Sequence, residues 1–203
     1  MKAHTSKLSQ RSHKKGFTLV ELLVVVAIIA ILATMATTGA ILAKNAASKT
    51  KAKAAIGDLT QAISSFADEQ NTLPLAEGEG ETTERITDSQ LMNVLCGNDE
   101  DENPQGIAYF NYRKAKGSSN NYYDGLYRTQ STAEFYGPWK NRSKNDRFYR
   151  VLFNYGYEDF IREPTNIGNE EIYGVQFLIY HAGKDGDIGN DNNIDNIYGW
   201  KGN

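Results

Sequence analysis

A long apolar segment near the N-terminus is the feature that most constrains the fold. Residues 17–43 are rich in Val, Ile, Leu and Ala and contain one charged side chain, Glu21. As an α-helix this segment would extend about 40 Å, which exceeds the roughly 30 Å of hydrocarbon in a bilayer. A secretory signal peptide has a similar basic and apolar order, but this run is too long and no clear cleavage site follows it. The segment therefore predicts a transmembrane helix.

The charges on either side of this segment are unevenly distributed. Residues 1–16 contain five basic side chains and no acidic one, which favours a cytoplasmic N-terminus. Four lysines flank the other end, so charge counting alone is nearly balanced; they are Lys44, Lys49, Lys51 and Lys53. The rest of the chain has a net charge of -8 once the leader is removed. A net acidic body disfavours a general nucleic-acid-binding role.

The junction between the leader and the apolar segment has the sequence "KKGFTLVELL". It resembles the processing signal of type IV prepilins, the family of type IV pilins and type II secretion pseudopilins. The resemblance implies that a prepilin peptidase cuts between Gly16 and Phe17 and methylates the new N-terminus. It also implies that Glu21, the fifth mature residue, pairs with the N-terminal amine during assembly, usually that of a neighbouring subunit.

A carboxylate within hydrocarbon is costly unless it is paired or functional, and the implied pairing would explain Glu21. The alternative is that Glu21 lies at the level of the lipid headgroups, where the dipole of the helix favours it. The resemblance also fixes the orientation, with the N-terminus in the cytoplasm and the body outside. Three regions are expected: a leader over 1–16, a transmembrane and assembly helix over 17–43, and a periplasmic globular domain over 44–203.

The pattern of the remaining chain predicts an α+β, pilin-like fold in which the long helix packs on a small antiparallel sheet. Apolar residues recur at helical spacing beyond the membrane segment and form one stripe; they are Ile56, Leu59, Ile63 and Phe66. Asn71 and Pro74 should end this helix. A second short helix is expected between Asp88, as its N-cap, and Gly97.

Three aromatic and β-branched stretches predict strands, at 106–112, 146–155 and 175–183. A long polar, glycine-rich connection is expected between the first two. Nine of the twelve tyrosines lie between 107 and 161, together with many basic residues. Such a stretch can stack on single-stranded nucleic acid, but a sheet surface that packs on neighbours is the favoured interpretation.

The C-terminal stretch "HAGKDGDIGNDNNIDNIYGW" is rich in oxygen donors and glycines. Such a loop suits Ca²⁺, which takes six to eight oxygen ligands, although the spacing excludes an EF-hand. The alternative is a polar turn or tail. The candidate donors with side-chain oxygens are Asp185, Asp187, Asp191, Asn192 and Asp195.

The same stretch resembles the calcium loop of the major pseudopilin of type II secretion systems. The resemblance implies ligands at Asp185 and at the backbone carbonyl of Ala182. The second half departs from the family pattern, and either Asn192 or Asp195 takes the remaining position. Because Cys96 has no partner for a disulfide, the ion would act as a structural staple.

No catalytic set is recognisable, since His181 is the only histidine of the body and no nucleophile or phosphate-binding motif occurs. The expected function is a structural subunit, a pseudopilin of a type II secretion filament in the inner membrane. The alternative is a type IV pilin of a surface fibre for adhesion, motility or DNA uptake. The implied partners are further copies of the chain, other pseudopilins, the inner-membrane assembly platform and the prepilin peptidase, with no specific nucleic acid.

Overall fold

The fold is described from a computed structural model, which covers residues 16–76, 82–118, 121–141, 143–188 and 196–201. In these residues the chain forms two α-helices, one 3₁₀ turn and eight short strands. The chain divides into two units, Met1–Lys44 and Asn45–Asn203. The first helix, α1, extends over Leu19–Gln70 and contributes to both units.

The first unit contains the apolar part of α1. Large apolar side chains are exposed along this part, and Phe17 just before the helix is 84% exposed. Among the described residues, one helix is long and apolar enough to cross a membrane, judged by length and composition. An apolar surface of this kind is typical of a membrane-spanning helix, whose side chains are buried in lipid hydrocarbon and not in protein.

The second part of α1 is the spine of the globular unit. Its buried side chains form one stripe; they are Ala52, Ala55, Ile56, Leu59, Ala62, Ile63 and Phe66. The four larger residues of this stripe were all predicted, and each is at most 5% exposed. Asn71 follows the last helical residue with a positive φ of 55°, a conformation that asparagine tolerates. The predicted end of the helix is therefore confirmed.

A four-stranded antiparallel sheet contributes the opposite side of the core. Its strands are β1 (Thr82–Ile86), β4 (Arg150–Asn154), β7 (Phe177–His181) and β8 (Ile197–Tyr198). They lie side by side in the order β1-β4-β7-β8. Val151 of β4 pairs with Ile179 of β7, and both are buried in the core cluster that contains the α1 stripe. Two of the three predicted strands, β4 and β7, are thereby confirmed.

The short helix α2 (Ser89–Cys96) has the predicted ends. The Asp88 side chain accepts hydrogen bonds from the backbone N–H groups of Gln90 and Leu91. Gly97 adopts a left-handed conformation with φ 75°, and its N–H reaches back to the last carbonyls of the helix. A Cβ at Gly97 would lie 2.5 Å from the carbonyl oxygen of Gly106, so glycine is required there for space as well as for conformation.

The prediction of a strand at 106–112 is wrong. This segment has no neighbouring strand among the described residues, and several of its backbone groups bond to a side chain and to a helix carbonyl instead. The Asn103 side chain bonds to both the N–H and the C=O of Ile107, and the N–H of Phe110 donates to the carbonyl of Leu95. Phe110 still packs in the core. The aromatic pattern was therefore correct for burial but not for strand pairing.

The long connection between the predicted strands is also more ordered than expected. It contains a hairpin of β2 (Gly125–Arg128) and β3 (Ala133–Tyr136). Outside this connection, between β4 and β7, a second hairpin joins β5 (Phe160–Arg162) and β6 (Glu171–Tyr173). Taken together, a long N-terminal apolar helix packed with small antiparallel sheets is the predicted α+β, pilin-like architecture.

Candidate functional site

The start of α1 contains the residues of the predicted processing signal. Thr18 is the last residue before the helix, and its side-chain oxygen accepts a hydrogen bond of 3.2 Å from the N–H of Glu21. In return, the N–H and the hydroxyl of Thr18 both donate to Oε2 of Glu21, at 2.8 and 2.9 Å. This reciprocal arrangement is a capping box, which satisfies donors that a helix N-terminus leaves without partners.

The capping box gives Glu21 a local role that the sequence analysis did not predict, although Thr18 and Glu21 have the required spacing. Both bonds from Thr18 go to one carboxylate oxygen. Gly16 and Phe17 precede the cap, are exposed and lie outside the helix. The bond between Gly16 and Phe17 therefore lies in exposed, non-helical chain.

The second candidate site begins at the end of β7, where the described part of the C-terminal loop starts. Ala182 is 1% exposed, whereas the side chains of Asp185 and Asp187 are exposed. Oδ1 of Asp185 accepts a hydrogen bond of 2.9 Å from the N–H of Asp187. Gly183 and Gly186 have positive φ values of 73° and 79°, so the glycines permit the tight turn as predicted.

Two side chains hold the start of this loop in place. Nδ2 of Asn141 donates to the carbonyl of Gly183 at 3.1 Å and to that of Asp146 at 3.0 Å. Nδ1 of His181 accepts from the N–H of Gly183 at 2.9 Å. Burial lowers the pKa of His181 to about 4, so the ring is neutral at neutral pH and can act as this acceptor.

Ile188 and Asn196, the described residues on either side of 189–195, are close to each other. Nδ2 of Asn196 lies 3.5 Å from the carbonyl oxygen of Ile188, and both residues are buried. Just beyond, Nε1 of Trp200 donates to Glu163, whose other carboxylate oxygen lies 3.2 Å from Nζ of Lys201. The side chain of Glu163 is fully buried. The fold therefore fixes the chain on both sides of the loop.

The predicted donors Asp191, Asn192 and Asp195 lie outside the described residues. Among the residues that are described, no group of three or more His, Cys, Asp or Glu side chains is placed to hold a metal ion. Asp185 and Asp187 supply two carboxylates of the kind that Ca²⁺ prefers, but they are too few to form a site alone. A complete site would need donors from 189–195.

A further charged cluster was missed by the sequence analysis. Asp124 is buried, and its carboxylate contacts three cations: Lys51 at 3.4 Å, Lys116 at 2.7 Å, and Arg113. Burial alone would raise the pKa of Asp124, but the hydrogen bond from Lys116 and the three positive charges outweigh burial and lower it. No local pattern indicates this cluster, because Lys51 and Asp124 are 73 residues apart in the chain.

Comparison with known proteins agrees with the N-terminal site. Residues 11–37 match the family described as the prokaryotic N-terminal methylation motif. This motif is the signal of type IV pilins and pseudopilins, which are structural proteins, and the match supports a type IV pilin-like subunit. Together with the apolar helix, it is consistent with a subunit anchored in the inner membrane. No curated protein and no solved structure matches the chain.

Proposed function

We propose that the chain is a pseudopilin, a structural subunit of a type II secretion filament. The observation that supports a pilin-like subunit is the methylation motif at 11–37, joined directly to an exposed apolar helix that continues into a small α+β body. The choice of a pseudopilin over a pilin rests on the calcium-like C-terminal loop and on the presence of one cysteine, Cys96, which cannot form an intrachain disulfide. Such a subunit would be inserted with its N-terminus in the cytoplasm and its body in the periplasm. The basic leader supports this orientation.

In this proposal, processing and assembly are two steps at the same site. A prepilin peptidase cuts after Gly16, and the new α-amine of Phe17 is largely protonated at neutral pH. The carboxylate of Glu21 then pairs with such an amine on a neighbouring copy. An ion pair in hydrocarbon costs less than two isolated charges, so pairing favours the assembled state. Before assembly, the capping box with Thr18 gives the carboxylate partners within its own chain.

We also propose that the C-terminal loop binds one structural Ca²⁺ ion. Its ligands would be the carbonyl of Ala182, the carboxylates of Asp185, Asp187 and Asp191, and either Asn192 or Asp195. The support is chemical: exposed carboxylates stand on a tight turn, and the chain on either side of the loop is anchored. The ion would supply a link between the two halves of the loop that no disulfide can provide, since Cys96 is the chain's one cysteine.

Deletion of this chain in its native host distinguishes secretion from a surface fibre. A pseudopilin is required for release of secreted proteins, so their abundance in the culture supernatant should fall while surface fibres persist in electron micrographs. A chain carrying Glu21→Ala, expressed in the deletion strain, should fail to restore secretion, whereas the unaltered chain should restore it. Loss of surface fibres with unchanged secretion would instead assign the chain to a type IV pilus and overturn the proposal.

A further inference from the structure

Within the globular unit, the basic side chains of α1 lie near the start of its body part and the acidic pair lies at its end. Lys49, Lys51 and Lys53 lie in the first turns of its body part, whereas Asp68 and Glu69 lie in the last turn, which contains no basic residue. Acidic residues at a helix C-terminus are unfavourable with respect to the helix dipole. Lys51 and Asp68 are separated by about 26 Å along the helix axis. The two ends of the body therefore differ in sign.

The basic end has a defined geometry. Lys51, Arg113 and Lys116 converge on the carboxylate of Asp124, and their side chains are 41%, 45% and 55% exposed. The Asp124 side chain is 5% exposed and neutralises one of the three positive charges. The three cations, named here the basic surface, thus present an excess positive charge to solvent in fixed positions.

The acidic end lies where α1 stops. The turn after α2 is tied to this end, because Oε2 of Glu102 accepts a hydrogen bond of 3.3 Å from the N–H of Leu75. Asp99 caps the same turn by accepting from the N–H groups of Asp101 and Glu102. Asp68 and Glu69 in the last turn of α1 and Glu100 and Asp101 in the turn after α2 are all exposed, and these four carboxylates are together named here the acidic surface. The basic side chain of Arg128 also lies near this turn, where it donates hydrogen bonds to the carbonyl of Cys96 and to Oδ1 of Asn98.

We propose that the basic surface of one copy docks on the acidic surface of a second copy, so that bodies stack head to tail. This inference rests on the proposed function, in which the chain polymerises. The two surfaces are different parts of the chain, so the contact is heterologous and can repeat without closing. Half-exposed charges act over about 10 Å at 0.1 M salt. They set the orientation and the encounter rate of subunits more than the final affinity.

Carbodiimide crosslinking of assembled full-length chain tests this contact without any substitution. The reagent joins an amine to a carboxylate only when the two are within ion-pair distance. Filaments are grown from an equal mixture of ¹⁴N- and ¹⁵N-labelled chains, so that mass spectrometry separates intermolecular from intramolecular links. We expect intermolecular links from Lys51 or Lys116 to the acidic surface. Filaments whose intermolecular links all lie elsewhere would overturn the inference and leave the proposed function intact.

A charge-reversal variant gives a second readout. Glu100→Lys combined with Asp101→Lys should lower the assembled fraction about threefold at 50 mM NaCl, and the difference should disappear at 500 mM, where screening is nearly complete. The control is Glu170→Lys, at an exposed position outside the acidic surface. Equal yields for both variants would overturn the inference. If Arg113→Gln shows a salt-sensitive loss of assembled fraction and the Glu100→Lys, Asp101→Lys variant does not, the basic surface binds anionic lipid headgroups instead. That result would also overturn the inference. Absence of any assembly by the unaltered chain would overturn the proposed function as well.

Discussion

Replacing Asp124 by asparagine isolates the charge that holds three cations together. Asp124 has a positive φ of 54°, a conformation that asparagine tolerates well but alanine does not. The substitution also keeps the size of the side chain and part of its hydrogen bonding. The main change is therefore the loss of one buried negative charge, which leaves Lys51, Arg113 and Lys116 to repel one another.

Two limits bracket the cost of this change. Three exposed ion pairs would contribute about 0.2–1 kcal/mol each, whereas breaking a buried pair costs about 3–5 kcal/mol. If exposed, the three pairs together would contribute about 0.6–3 kcal/mol. The carboxylate is buried but its partners are about half exposed, so screening by solvent places the cost in the upper half of that range and below the cost of breaking a fully buried pair. We expect Asp124→Asn to lower the free energy of unfolding by about 2 kcal/mol. This corresponds to a decrease in melting temperature of about 6 °C for a body of this size.

The loss should depend on pH in a defined direction. The pKa of Asp124 is lowered in the folded chain, so its contribution is present above the pKa of the unfolded chain, near 4, and disappears as the pH falls through the folded pKa. Urea unfolding followed by Trp139 and Trp200 fluorescence, at pH 7 and at successively lower pH, measures both effects. Asp124→Ala should cost about 1 kcal/mol more than Asp124→Asn because of the positive φ. Equal stability of Asp124→Asn and the unaltered chain at pH 7 would refute the reasoning.

Further predictions concern the assembly site, the loop and the core. Glu21→Ala should reduce crosslinked filament ladders while insertion of the monomer persists; normal filament yield would count against the pairing argument. Ca²⁺ at a hundredfold its Kd should stabilise the body by about 2.7 kcal/mol, and Asp185→Ala should abolish the rise in melting temperature relative to a chelator. A melting temperature that ignores both additives would mean the loop is a polar turn, and comparing Asp195→Ala with Asn192→Ala would identify the remaining ligand. Leu59→Ala should lower the unfolding free energy by about 2–5 kcal/mol through a core cavity, whereas the exposed control Gln61→Ala should change it by less than about 0.5 kcal/mol.

The parts of the fold that follow from local chemistry could be predicted from the sequence. The α1 stripe repeats at helical spacing, and the ends of α2 depend on Asp88 and Gly97, which act within their own turn. Strands β4 and β7 contain the apolar and aromatic runs 151–153 and 177–180, and both strands lie in the interior of the sheet. In each case the signal and the structure involve residues that are near in sequence.

The parts that were missed depend on contacts between distant residues. Phe110 lies in an aromatic stretch of sequence that is typical of a strand. A strand also requires a neighbouring strand to bond its backbone, and at Ile107 the Asn103 side chain bonds to the backbone instead. The β2–β3 hairpin was not predicted because its few apolar residues are separated by polar ones in the sequence. In the structure, Leu126 and Phe135 pair across the hairpin. Asp124 could not be recognised because its three partners come from α1 and from the segment before β2.

The N-terminus of the mature chain shows whether the chain is processed as a pilin-like subunit. Full-length protein should be extracted from membranes of cells with an active prepilin peptidase and analysed by intact-mass and N-terminal peptide mass spectrometry. We expect a chain that begins at Phe17 and carries a methyl group on its α-amine. Cells without the peptidase should retain the leader, which identifies the enzyme responsible. A chain that still begins at Met1 in the presence of the active peptidase would contradict the assignment of a pilin-like subunit.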